Sequence, residues 1–175
     1  MTQGIFIISG IPGAGKTTVS RLLAARFERS VHIESDLLQE WIVSGGLWPN
    51  EEPAEEAWRQ LRLRTRNACL LADSFFEAGF TPVIDDVVIG KRLDDFLLDL
   101  RNRPVRFVML APRVDVVEQR DASRGYKRVF SIWGHLDEVM RRETRKTGLW
   151  VDSSDLSAKA TVDRILQRGD EARLE

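Results

Sequence analysis

Three glycines, a lysine and two threonines lie close together in the segment GIPGAGKTT, residues 10–18. Part of it satisfies the pattern G-x-x-x-x-G-K-[ST], whose glycines let successive backbone N–H groups point at phosphate oxygens. The lysine adds positive charge for the β- and γ-phosphates, and the first threonine hydroxyl is a ligand for Mg²⁺. The segment therefore predicts a triphosphate site with Mg²⁺. The expected contacts are Gly10, Pro12, Gly13, Ala14, Gly15, Lys16, Thr17 and Thr18.

Two aspartates follow the apolar run that ends at Ile84, in the segment TPVIDD. Because side chains alternate along a strand, Asp85 and Asp86 are predicted to point to opposite sides of the sheet. Asp85 comes directly after the run and is the predicted metal-side residue, holding Mg²⁺ through water, whereas Asp86 is assigned to the substrate side. The alternative is that both carboxylates end the strand in a solvated turn, where aspartate is common.

A third carboxylate, Asp36 in the segment VHIESDLL, follows the second apolar run. Ligands of open α/β sheets bind beyond the carboxyl ends of the strands, so Asp36 is predicted to lie on the same rim as Lys16. There it could accept the proton of a substrate hydroxyl that attacks the γ-phosphate. Gln39, three residues later, leaves a second interpretation open, in which the two side chains form a capping box at a helix start.

The segment RDASRGYKR, residues 120–128, interrupts the apolar rhythm and concentrates positive charge. Arg120 and Arg124 are four residues apart at a predicted helix end, so they share a face, and the glycine that follows allows a hinge. Phosphoryl transfer needs positive charge around the transferring group and exclusion of water. We therefore predict a lid over residues 120–132 that supplies Arg120, Arg124 and Arg128. Alternatively, these cations only complement the negative end of a helix dipole.

The tryptophans divide between a candidate substrate contact and packing. Trp48 lies in the Gly/Pro-bounded segment SGGLWPNEEP, where its ring either stacks on a substrate or pins the loop to the core. Trp41, Trp133 and Trp150 are interpreted as packing residues. Trp58 is placed on the inward stripe of a long helix, next to the apolar residues at helical spacing.

Short apolar runs alternate with longer segments of helical period, which is typical of helices covering both faces of a mostly parallel sheet. We predict one P-loop domain over residues 1–175, of the three-layer α/β/α type, with its substrate side in residues 36–78. The predicted strands are residues 5–9, 31–33, 81–85, 105–110 and 149–151. The predicted helices after the P-loop helix are residues 37–43, 54–78, 92–101, 114–124, 136–146 and 158–167.

The composition limits the kind of partner. Lysines and arginines number 26 against 27 aspartates and glutamates, which argues against a nucleic-acid partner. Cys69 is the only cysteine, so the chain has no internal disulfide and fits a reducing compartment. Neither a signal-peptide pattern nor a membrane-spanning apolar run occurs. We expect a cytoplasmic protein with a small-molecule acceptor and no membrane partner, and the oligomeric state stays open.

The ordered set of motifs resembles the nucleotide-kinase-like branch of P-loop proteins, and within it the chloramphenicol phosphotransferase-like small-molecule kinases. The resemblance rests on GIPGAGKTT, the aspartate of ESDLL, VIDDVVIG, the R-x-x-x-R-G of the lid and WVDSSDLS. It implies a five-stranded parallel sheet in the order 2-3-1-4-5, Asp36 as catalytic base and lid arginines that contact ATP. It also implies that the loop Ser153, Ser154 and Asp155 borders the adenine. The substrate-side segment VSGGLWPNEEP departs from the pattern, which puts the acceptor in doubt.

Three functions compete at this point. The first is an ATP-dependent phosphotransferase acting on a hydroxyl of a small molecule, an antibiotic or a metabolite, which uses the P-loop, Asp36 and the lid together. The second is a polynucleotide 5′-hydroxyl kinase, against which the near-neutral charge argues. The third is a regulatory ATPase with a protein partner. A GTPase would need an N-K-x-D run for guanine, and the sequence has none.

Overall fold

A mostly parallel sheet forms the centre of the molecule. The computed structural model describes residues 4–122 and 130–174. The strands in order of sequence are β1 (Ile5–Ser9), β2 (Ser30–Glu34), β3 (Thr81–Asp85), β4 (Val105–Leu110), β5 (Leu149–Val151) and β6 (Arg173–Leu174). The first five lie in the order β2-β3-β1-β4-β5 and pair in parallel, as predicted. The two-residue β6 pairs antiparallel with β4, an addition that the sequence pattern did not indicate because the strand is too short to show a period.

Helices connect the parallel strands. They are α1 (Lys16–Ala24), α2 (Ser35–Glu40), α3 (Ala54–Glu77), α4 (Arg92–Asp99), α5 (Val114–Ala122), α6 (Phe130–Trp133), α7 (Leu136–Glu143) and α8 (Ala158–Gln167). Helix α1 packs against α8 and β3, whereas α3 packs against α4, β2 and β3. The predicted α/β architecture with helices on the sheet is therefore confirmed. Among the described residues, no helix combines the length and apolar character that crossing a membrane requires.

The core lies in the central strands. All residues of β1, β3 and β4 are buried, which is the expected state of parallel strands covered on both faces. Residues in the same register point to the same face, so Ile8, Asp85 and Glu34 form one row across β1, β3 and β2. The carboxyl ends of these three strands therefore meet at one edge, where the P-loop, Asp36 and the two aspartates of TPVIDD follow them.

Two tryptophans lie where the sequence pattern did not place them. Trp58 is 58% exposed and Trp41 is 68% exposed, so neither is a packing residue. The buried stripe of α3 runs through Ala57, Leu61 and Ala68, and Trp58 is one residue, or about 100°, away from that stripe. Trp41 directly follows the last residue of α2, and most of its surface is exposed.

Candidate active site

The P-loop forms an open cradle at the start of α1. Gly15 adopts φ +93° as the residue before the helix, and within the described part of the chain no side chain caps the start of α1. Gly13 adopts φ +89°, and a Cβ there would lie 2.9 Å from Cγ1 of Val117, so a larger residue would displace the loop. Lys16 Nζ donates to the carbonyl oxygen of Ile11 across the loop, at 3.3 Å. Free helix N–H groups beside a lysine fit a chain of phosphates.

Asp85 is the last residue of β3. It lies on the same face of the sheet as Ile8 of β1, and β1 is the strand that leads into the P-loop. Its carboxylate is buried, and its Oδ2 has no hydrogen-bond partner among the described residues. Nε2 of His32 lies 3.5 Å away and has no partner there either. A buried carboxylate oxygen without a donor is costly unless a ligand satisfies it. The unpartnered oxygen of Asp85 therefore fits a ligand such as a hydrated Mg²⁺, and the part of Thr17 in holding that ion stays a prediction.

Asp86 points to the other side of the sheet, and its environment differs from its predicted one. Its side chain is 0% exposed and accepts hydrogen bonds from Nη2 of Arg64 and Nη2 of Arg92, each at 2.9 Å, and from the backbone N–H of Val87 at 2.7 Å. Burial alone would raise the pKa of Asp86, but Arg92 and Arg64 outweigh it and hold that pKa well below its usual range. Asp86 thus anchors two arginines instead of facing a substrate.

Asp36 lies in the first turn of α2, and its carboxylate is 52% exposed. Nη1 of Arg64 donates to its Oδ1 at 3.2 Å. The capping-box alternative is wrong, because no side chain of residues 4–122 or 130–174 caps α2, and Gln39 instead donates to the carbonyl oxygen of Leu47. Arg64 is only 5% exposed, so a fixed guanidinium holds Asp36 while one side of the carboxylate stays open.

A cavity of about 450 Å³ lies between the P-loop and the helices of the substrate side. Pro12 of the P-loop and Asp36 both line it. The remaining lining combines a few polar groups with aromatic and aliphatic side chains: Trp48, Pro49, Asn50, Trp58, Leu61, Arg64, Val87, Ile89, Arg92, Ile132, Trp133 and Leu136. The predicted substrate contact Trp48 is therefore at the cavity, which Asp36 and Pro12 of the P-loop also line.

The loop that carries Trp48 is held by a buried glutamine on α3. Nε2 of Gln60 donates to the carbonyl oxygen of Gly45 at 2.8 Å, and Oε1 of Gln60 accepts from the backbone N–H of Leu47 at 2.7 Å. Gln39 of α2 donates to the same Oε1 at 3.2 Å. These bonds tie the loop to two helices, so the cavity wall is fixed although the sequence there contains no regular element.

The loop after β5 lies next to Arg120. Nη2 of Arg120 donates to the carbonyl oxygen of Ser153 at 2.8 Å. Ser154 Oγ accepts from the backbone N–H of Arg113, and Asp155 accepts from the guanidinium of the same residue at 3.1 and 3.2 Å. Arg113 thereby lowers the pKa of Asp155.

The structure thus brings together four of the residues predicted to border the nucleotide, namely Arg120, Ser153, Ser154 and Asp155. Arg124 and Arg128, together with most of the predicted lid, lie outside the described residues, and their roles stay predictions.

Most residues that line the cavity were not predicted as site residues, and Arg64, Arg92 and Trp58 are among them. A signal existed for Arg64, because it falls on the buried stripe of α3 between Leu61 and Ala68. An arginine at an apolar position of a helix is rarely buried without a carboxylate partner. For Arg92 and Trp58 the sequence gives no such signal, because their position depends on how α3 and α4 pack.

Solved structures of known proteins share this fold. The chain is similar to a sugar kinase from Janibacter sp. HTCC2649, with a TM-score of 0.71 and 16% identity over 98% of this chain and 96% of that one. It is similar to the shikimate kinase of Bacteroides thetaiotaomicron, with a TM-score of 0.64 and 18% identity over 97% and 99%. It is also similar to the tunicamycin resistance protein of Deinococcus radiodurans, with a TM-score of 0.65 and 19% identity over 99% of both chains.

Sequence comparison gives a more local relative and a family. A UPF0200 protein of Aeropyrum pernix is 36% identical over 84 residues, which are 46% of this chain and 44% of that protein. The chain thus spans less than half the length of this relative. The family model for the AAA domain matches residues 6–174. The resemblance to P-loop small-molecule kinases is confirmed for the fold, and the chain belongs to the AAA domain family.

Proposed function

We propose that the protein is an ATP-dependent phosphotransferase that moves the γ-phosphoryl group to a hydroxyl of a small molecule. One observation carries the proposal: Asp36 and Pro12 of the P-loop line the same cavity of about 450 Å³, and the carboxylate of Asp36 is half exposed there. A volume of that size is typical of small-ligand sites. A nucleotide held by the P-loop would present its terminal phosphate to the side of the cavity where Asp36 lies.

The chain's own residues divide the work of holding the nucleotide. The N–H groups at the start of α1 and the ammonium of Lys16 would bind the phosphates. The loop of Ser153 and Ser154, tied to Arg120, would border the base. Thr17 and the buried Asp85 would hold Mg²⁺, which when bound neutralises charge on the β- and γ-phosphates.

Asp36 would act as the general base. The acceptor hydroxyl loses its proton to the carboxylate as its oxygen forms a bond to the γ-phosphorus, and the bond from that phosphorus to the β-phosphate oxygen breaks to release ADP. Arg64 holds Asp36 from the protein side, so the carboxylate is oriented before the acceptor enters. Such pre-orientation contributes to rate because little motion is needed at the reaction step.

A screen of hydroxyl compounds tests this function. The protein would be incubated with ATP, Mg²⁺ and a panel of antibiotics, nucleosides, sugars and a 5′-hydroxyl oligonucleotide, and products would be weighed by mass spectrometry. We expect a small molecule that gains the mass of one phosphate and speeds the release of ADP. The variant Lys16→Met, which removes the charge that faces the phosphates, is the inactive control.

Two outcomes would contradict the proposal. One is phosphorylation of the oligonucleotide alone, with a rate that falls steeply as salt is added. The other is ATP hydrolysis that no hydroxyl compound accelerates but that a protein fraction does, which would favour the regulatory ATPase.

A further inference from the structure

Two arginines border the cavity, and both are already compensated by carboxylates. Arg64 contacts Asp36 with one terminal nitrogen and Asp86 with the other. Arg92 contacts Asp86 with Nη2 at 2.9 Å, and its guanidinium also donates to the hydroxyl of Thr65 and to the carbonyl oxygen of Val87. The four charged side chains carry two positive and two negative charges, so together they are neutral.

Asp86 is the member of this group that no substrate reaches. Its side chain is fully buried, and N–H groups of Arg64, Arg92 and Val87 satisfy it. A buried carboxylate with these partners cannot leave them without a large desolvation cost. Its negative charge is therefore a permanent part of the wall behind the cavity.

We propose that Asp86 is a specificity-determining residue that makes the acceptor cavity selective for uncharged hydroxyl compounds and closes it to carboxylated or phosphorylated ones. The inference rests on the proposed function, because it takes this cavity as the acceptor site. Without Asp86, Arg64 and Arg92 would present positive charge to the cavity and would fit an anionic acceptor. With Asp86 in place, an entering anion meets arginines that are already neutralised and the exposed carboxylate of Asp36.

The rest of the lining agrees with an uncharged acceptor. Trp48, Trp58 and Trp133 contribute aromatic surface, and Val87 and Ile89 contribute aliphatic surface. No lysine and no further arginine is among the described residues that line the cavity. Aromatic side chains hold an apolar or ring-shaped body, and the carboxylate of Asp36 supplies the acceptor for one hydroxyl proton.

A matched pair of probes measures this selectivity. The probes are 4-(hydroxymethyl)benzamide and 4-(hydroxymethyl)benzoate, which have the same size and the same primary alcohol and differ by one charge. The protein would be saturated with a non-hydrolysable ATP analogue and Mg²⁺, so that the P-loop cannot bind the carboxylate. Calorimetry and thermal unfolding then report binding. For the natural sequence we expect the amide to bind more tightly than the carboxylate by about tenfold or more.

The variant Asp86→Asn changes the net charge of the four side chains from zero to plus one, with little change of shape. We expect the benzoate to raise the melting temperature of this variant and to bind it more tightly than it binds the natural protein, by about tenfold or more. Because Arg92 then has no carboxylate partner among the described residues and Arg64 keeps only Asp36, the variant is less stable without an anion. If it is unfolded, recovery of folded protein on adding the benzoate is the same result in another form. The control is Asp94→Asn, which removes one exposed charge of α4.

The outcomes separate cleanly. The proposal is overturned if the benzoate changes neither the folding nor the melting temperature of the Asp86→Asn protein. It is also overturned if the natural protein binds the benzoate as tightly as the amide. An equal benzoate effect in Asp94→Asn also overturns it, because the effect would then follow net charge. These are binding measurements, so a failure here leaves phosphoryl transfer by Asp36 intact. If the protein prefers the amide to the benzoate but transfers no phosphate to any hydroxyl compound, the proposed function is wrong and the charge selectivity of the cavity stands.

Discussion

At the scale of single residues, Arg64 joins the two carboxylates that matter most at the cavity. It donates to Asp36 on the surface side and to Asp86 in the interior. The exposed ion pair contributes little to stability by itself, whereas the buried one is costly to break because Asp86 would lose part of its compensation. Arg64 therefore stabilises the fold through Asp86 and holds Asp36 in place at the cavity.

The variant Arg64→Met tests that double role. We expect it to lower the free energy of unfolding by about 3 kcal/mol or more, because it leaves a buried carboxylate with only one arginine. Denaturant unfolding followed by circular dichroism measures this. Arg59→Met on the same helix is the control, since Arg59 is 75% exposed and its loss should change stability by less than about 0.5 kcal/mol. Equal effects of the two substitutions would contradict the account.

Residue roles were predictable where chemistry follows from position along a strand. The alternation that sends Asp85 and Asp86 to opposite sides is a property of any strand, and the structure shows Asp85 beside His32 and Asp86 beside Arg64. The partners themselves were not predictable, because they come from α3 and α4, whose docking depends on the whole core. The lid arginines Arg124 and Arg128 stay predictions.

At the scale of elements, the buried strands were predictable to the residue and the loops were not. Strands β1, β3 and β4 are continuous apolar runs because both faces are covered. Strand β2 is only partly buried, so its apolar run was too short to show its ends. The loop before α3 has no period at all, and its conformation follows from hydrogen bonds to Gln60 that sequence patterns do not show.

The variant Gln60→Ala tests the role of that glutamine. Removing its side chain leaves the carbonyl oxygen of Gly45 and the N–H of Leu47 without their partner. We expect a loss of about 1–3 kcal/mol in unfolding free energy and a higher acceptor KM with little change in kcat, because Trp48 is less well held.

Steady-state kinetics on an accepted hydroxyl compound and denaturant unfolding provide the two readouts. The control is Asn67→Ala, which shortens an exposed amide on α3. An acceptor KM that stays at its original value in Gln60→Ala would argue against a fixed cavity wall.

At the scale of the whole molecule, four parts of the candidate site follow the carboxyl ends of parallel strands. The P-loop follows β1, Asp36 follows β2, Asp86 follows β3 and Ser153 follows β5. Ligands of open α/β sheets bind at this edge. The strand order therefore spreads the site along the sheet. The acceptor cavity lies beside β2 and β3, and the loop predicted to border the adenine lies beside β5.

The acid stability of the whole fold depends on buried carboxylates. Burial would raise the pKa of Asp73, but the N–H groups of Arg101 and Asn102 lower that pKa more. The pKa of Asp86 is likewise lowered, because Arg92 and Arg64 outweigh its burial. A lowered folded-state pKa means that the unfolded chain takes up protons first as the pH falls. The stabilisation is therefore complete above about pH 5 and is lost as the pH falls below about 4.

Unfolding free energies measured from pH 7 to pH 3 check this sign. We expect a plateau near neutral pH and a steep fall on the acid side. Asp86→Asn and Asp73→Asn should each lower the plateau and flatten the acid fall, because the titrating group is gone. Asp94→Asn, an exposed residue, should keep both. If the unfolding free energies of Asp86→Asn and Asp73→Asn fall with pH as steeply as that of the natural protein, the pH dependence does not come from these two carboxylates.

The central claim is that the carboxylate of Asp36 takes the acceptor proton beside a bound ATP. Two quantities measured on the same Asp36→Asn preparation test it most directly: the affinity for ATP by calorimetry, and the single-turnover rate of phosphate transfer to an accepted alcohol. The control is Glu40→Gln, which removes an exposed charge from the same helix. The account predicts ATP affinity within a few-fold of the original and a transfer rate lower by about 10²–10⁴-fold in Asp36→Asn alone. Asp36→Asn protein that transfers phosphate at the original rate would contradict it.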